Sequence, residues 1–143
     1  MDPLTSAGAE RVYVDGSALT RYLAGAPSGD AWRAWAAQTQ DRLVTSPLGV
    51  SELNRAALLR GDRQTAHDVA GWLRVERISD QAVRHASRAA AALEPFAALH
   101  LGAALAHPDV RALATYDVHL ARVAVLYGLD VVAPGLPADW YLD

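Results

Sequence analysis

An α/β fold, with helices on both faces of a mostly parallel five-stranded sheet, follows from three observations. Short β-branched and aromatic runs alternate with helix-period segments along the 143 residues. Two of those runs stop at an acid, RVYVD at Asp15 and RALATYD at Asp117. No internal repeat, low-complexity tract or linker breaks the alternation. Such alternation requires right-handed crossovers and a parallel sheet.

Residues 1–10 are small and polar and read as a loose arm, with a single domain over 11–143. Strands are predicted at about 11–15, 42–46, 74–78, 111–115 and 130–133 from their β-branched, apolar character. GSALTRYLAG reads as a short helix punctuated by Gly25 and Pro27, and a second helix starts from Ser28, where Trp32, Trp35 and Ala36 recur at helical spacing. Pro47 closes the second strand, and VSELNRAALLRG forms a helix over 50–61 with Gly61 as its stop. DRQTAHDVAGWL continues as another helix. Ser79 and Asp80 can cap a helix running from Gln81 to about Leu93. Pro95 suits the first turn of a separate helix, LEPFAALHLGAAL, which Pro108 ends. A last helix, VHLARVAVLYG, is closed by Gly128.

The chain has no cysteine, so disulfides, cysteine–zinc sites and a cysteine nucleophile are excluded. All 13 basic residues are arginine, which removes Schiff-base and phosphate-loop lysine chemistry. A net charge of −3 does not advertise a nucleic-acid binder, although arginines can still cluster locally. No stretch reaches the roughly 18 apolar residues of a membrane span, and the first residues lack a secretory pattern. A cytoplasmic protein is the expectation.

Open α/β sheets bind ligands at the carboxyl ends of their strands. Asp15 follows the first strand, Asp117 the fourth, and Glu52 is expected in the first turn of the helix after the second. Carboxylates brought close repel unless a cation compensates, and oxygen-only donors suit Mg²⁺ or Mn²⁺. Two such ions can activate water and stabilise the leaving oxygen of a phosphodiester. Each acid also has a plain structural role, as a helix cap or a dipole partner. Spacing alone leaves both readings open.

VYVDGSALTRYL, then TSPLGVSELNRA, then LATYDVHLARVAVLYGLDVVAPG resemble the PIN-domain family, and within it the VapC-type toxins of bacterial toxin–antitoxin pairs. The likeness spans about residues 11–135 and rests on the order and separation of these motifs. It implies a PIN-like three-layer sandwich and a metal-dependent endoribonuclease using Mg²⁺ or Mn²⁺. It also implies a homodimer inhibited by a VapB-type antitoxin. The family's acids fall on Asp15, Glu52 and Asp117, and Thr115 matches a hydroxyl position near the metal. The third acid belongs in a stretch like LDALHLA. Here the stretch is FAALHLG, and Ala97 stands where that acid is expected.

An engineered Asp→Ala replacement and natural loss both account for Ala97, and the intactness of the other signatures favours replacement. Glu94, three residues earlier, is a weak substitute. An impaired nuclease is therefore expected, with a non-catalytic PIN module that binds RNA or protein as the alternative. A receiver-like domain is disfavoured because it needs a lysine. His100 either supports the site or bonds a backbone carbonyl. Arg21, Arg33, Arg55 and Arg60 are candidates for RNA phosphates, although Arg55 can instead pair with Glu52 along one helix. Trp32 and Trp35 form a stripe expected to be partly exposed for antitoxin docking.

Overall fold

The computed structural model describes residues 10–142. The loose arm expected over 1–10 therefore lies outside the described residues, apart from Glu10. Five parallel strands form one sheet: β1 (Arg11–Val14), β2 (Leu43–Thr45), β3 (Arg74–Val75), β4 (Val110–Ala114) and β5 (Asp130–Val132). Their order is β3-β2-β1-β4-β5. The chain thus leaves β1 toward one edge and returns to add β4 on its other side. The crevice between the carboxyl ends of β1 and β4 is the topological switch point, where such sheets bind ligands.

Among the described residues seven α-helices cover the sheet: α1 (Gly16–Leu19), α2 (Gly29–Thr39), α3 (Pro47–Arg60), α4 (Arg63–Trp72), α5 (Asp80–Arg88), α6 (Pro95–Ala106) and α7 (Val118–Leu126). Alternation along each strand divides the core in two. Val12 and Val14 pack with Leu19, Leu23, Trp32 and Leu53 under α1 to α4. Tyr13 and Val44 pack with Ala98, Leu101, Leu113 and Leu120 under α5 to α7. Both faces of the strands are therefore apolar, as a covered parallel sheet requires.

Two boundaries differ from the sequence reading in ways that matter. Pro47 opens α3 instead of closing β2, because proline's fixed φ and missing N–H suit the first helical position. Glu52 consequently lies in the second turn of α3. The helix expected to reach Leu93 stops at Arg88, and turns carry the chain on to Pro95. The third strand, expected over 74–78, covers only Arg74–Val75, and the other strands and caps follow the sequence closely. Ser79 accepts from the Ala82 N–H at 3.1 Å as the N-cap of α5. Trp32 is fully buried, with Trp35 packed against the same cluster, so this stripe is largely core. Among the described residues no helix is long and apolar enough to cross a membrane.

Candidate active site

The site grows from the end of β1. Asp15 is the N-cap of α1, and its Oδ1 accepts from the Ala18 N–H at 2.9 Å. The same oxygen accepts from the Ser17 hydroxyl at 2.7 Å, and Oδ2 accepts from Thr115 Oγ1 at 2.6 Å. Burial pushes this carboxyl above the ordinary aspartate range. The nearby His100 and the three hydrogen bonds work in the other direction. A carboxylate buried out of water is costly even when hydroxyls donate to it, and such cost is typical of sites built for function.

The neighbouring strand end is stitched to it. Ser17 Oγ accepts from the Tyr116 N–H at 2.8 Å, and Thr115 Oγ1 accepts from the Asp117 N–H at 3.0 Å. Asp117 is thereby joined to Asp15 through its backbone. Its carboxylate caps α7, with Oδ1 accepting from the N–H groups of His119 and Leu120. Both aspartates thus also fill the plain capping role.

Glu52 reaches the pocket from α3 by passing over Gly16. A methyl group added at Gly16 would meet the Glu52 carboxyl and its Cβ. At its tip, Glu52 Oε1 accepts from His100 Nε2. Glu52 is therefore paired with His100 across the fold and not with Arg55 along its own helix. Ala97 lies in the first turn of α6, half-buried against the second core, and offers no oxygen. Glu94 is the exposed N-cap of α6, and its side chain makes no cap bond.

The arginines divide. The Arg21 guanidinium stacks 4.3 Å from the ring centroid of Tyr116, the residue between Thr115 and Asp117, and so borders the pocket. Arg33 instead donates to the Arg21 carbonyl and to Asp30. Arg55 and Arg60 are exposed on α3, the latter about 12 Å along the axis from Glu52. Sequence reasoning did not single out Ser17, Gly16 or Tyr13. A small residue and a hydroxyl just after an N-cap acid were the available signal for the first two.

A family model described as PIN domain matches residues 12–132. The chain belongs to the PIN-domain family. PIN domains are generally nucleases and typically use divalent metal ions. A comparison with curated proteins gives no match.

The PIN residues present fit such an ion in kind more than in number. The donors are oxygens, and Mg²⁺ is commonly held by one or two carboxylates with water completing its shell. Asp15 and Glu52, on either side of Gly16, meet that description. Among the described residues, however, no group of three or more His, Asp and Glu side chains is placed to hold a metal ion. The fuller acidic arrangement that the resemblance implied is not assembled here. Ala97 supplies no ligand, and the Asp117 carboxylate is turned to α7.

Proposed function

We propose that this PIN domain is an endoribonuclease of the VapC toxin type, weakened by Ala97, that hydrolyses RNA phosphodiesters at the Asp15 pocket. One observation carries the reading. A buried carboxylate stands at the switch point, fastened by Thr115 and Ser17, with a second carboxylate laid over Gly16 beside it. Stability alone gives little reason to keep that pair. Asp15 and Glu52 would hold a Mg²⁺ or Mn²⁺ ion, with Asp117 joining them only when its carboxylate leaves its cap on α7. When bound, that ion would supply an acidified water and neutralise charge at the phosphate. Arg21, braced on Tyr116, is placed to draw a phosphate toward the crevice. Inhibition by a VapB-type antitoxin and assembly as a homodimer belong to the same proposal.

The missing carboxylate favours a second reading, a PIN module that binds RNA or a protein without cutting. A single experiment separates them. The chain and its Ala97→Asp variant are incubated with RNA, with and without Mn²⁺, while binding is followed by gel shift. Weak cleavage by the chain and strong Mn²⁺-dependent cleavage by the variant are expected. RNA binding by both proteins with cleavage by neither would establish the second reading. High activity with Ala97 in place would refute the weakening.

A further inference from the structure

We propose that Ser46, Tyr13 and His100 form a hydrogen-bonded chain that positions Glu52 over Gly16. Ser46 Oγ lies 2.8 Å from the Tyr13 hydroxyl, which lies 2.8 Å from His100 Nδ1. His100 Nε2 then meets Glu52 Oε1. The three inner residues come from the end of β2, from β1 and from α6, and all are buried. The Glu52 side chain keeps about a third of its surface in solvent, 34%.

The outer end of the chain has a fixed direction: an ionised carboxylate can only accept, so His100 Nε2 carries a hydrogen and donates to Glu52. Nδ1 on the other side of the ring is bonded to the Tyr13 hydroxyl, which is bonded in turn to Ser46 Oγ. Ser46 shows the cost of this arrangement. It is the N-cap of α3, where a serine ordinarily accepts from the first turn, yet its side chain makes no cap bond. Its hydroxyl is spent on Tyr13 instead.

Glu52 is thus held at two points, by Gly16 beneath its stem and by His100 at its tip. A surface glutamate on a helix is otherwise free to wave among rotamers. Tyr13 and His100 are positioning residues: they act through Glu52. Second-sphere partners of this kind orient a ligand, and their removal typically weakens metal binding by about 10- to 100-fold.

Two measurements test this. Long-range proton–nitrogen spectra of the full chain at neutral pH should show His100 Nε2 carrying a hydrogen. A bare Nε2 overturns the chain. This measurement does not depend on the nuclease reading. The second rests on that reading and uses calorimetric titration with Mn²⁺ in the Ala97→Asp background. Adding His100→Leu is expected to weaken Mn²⁺ binding about ten-fold. His100→Gln, which keeps an N–H donor, should recover most of that loss, and Tyr13→Phe should weaken binding by a smaller factor. Circular dichroism checks each fold, and if His100→Leu fails to fold the other two variants carry the comparison. Folded variants that bind Mn²⁺ as tightly as Ala97→Asp overturn the positioning role alone. Absence of Mn²⁺ binding in Ala97→Asp itself would sink the nuclease reading, and the spectra would still decide the chain.

Discussion

Thr115 Oγ1 donates to Asp15 Oδ2 at 2.6 Å, joining the ends of two adjacent parallel strands across 100 residues of sequence. The bond answers a carboxyl that burial would otherwise drive toward its neutral form. Thr115→Val keeps the shape and removes the donor. It also strips the Asp117 N–H of its acceptor. Hydrogen bonds to buried charged groups are worth about 1.5–3 kcal/mol, so urea denaturation should show a loss of that size. Thr115→Ser, which keeps the hydroxyl, should lose distinctly less. Equal losses for both substitutions would assign the effect to packing.

Gly16→Ala should cost both stability and activity. The backbone there is ordinary helix, where alanine is favoured over glycine by up to about 1 kcal/mol. The added methyl group, however, collides with the Glu52 stem and carboxyl. We expect a lowered melting temperature from overpacking, together with a fall in RNA cleavage of about 100-fold, the usual scale for an ångström-sized displacement of a catalytic group. Because the chain itself is expected to cut weakly, the rates are compared in the Ala97→Asp background.

Gly102 makes a purely structural case. A methyl group there would strike the backbone carbonyl of Ala82, where α6 packs closely on α5. A carbonyl in a helix cannot step aside as a side-chain tip can. Gly102→Ala should cost about 1–3 kcal/mol by overpacking. Gly71→Ala in α4 meets nothing within 4 Å and serves as the control. It should add about 0.5–1 kcal/mol. Thermal melts of the two variants side by side decide the matter.

Three tyrosines set the alkaline limit. Burial raises the hydroxyls of Tyr13 and Tyr22 far above their usual value, and raises Tyr116 to about 12. In the unfolded chain each ionises near 10.0. A group whose folded value is raised contributes stability that is intact below the unfolded value and is lost as pH climbs toward the folded one. Stability should therefore hold up to about pH 10 and then fall. Fully buried Tyr13 contributes a slope of about 1.4 kcal/mol per pH unit. Partly buried Tyr22 and Tyr116 should contribute less, because solvent screens them. Tyrosinate absorbance should appear together with unfolding. Stability that stays flat from about pH 9 to about pH 11.5 would contradict this.

Much of the scaffold was legible in the residues themselves. β1 and β4 announce themselves because parallel strands covered on both faces must be continuously apolar, and each ends where its first polar side chain is needed. Asp15 and Asp117 were therefore located as strand-end acids and as helix caps at once. Glu52 was misplaced by one turn because Pro47 can end a strand or begin a helix, and only packing chooses between them. Its partnership with His100 was out of reach, since the two lie 48 residues apart and on different helices. Tyr13 read simply as a core aromatic; its hydroxyl matters only because Ser46 and His100 arrive from elsewhere. The gap at Ala97 was visible only against the family's pattern.

The strand order carries a consequence for how this protein is made. β1, β2 and β3 occupy residues 11–75, and their partners β4 and β5 come only at 110–132. A chain emerging from the ribosome thus displays Asp15 and Glu52 while Thr115 and Asp117 are still unsynthesised. Any cutting centre assembled from both halves stays dormant beside the very RNA machinery that is producing it, until β4 and the residues that follow it have been added.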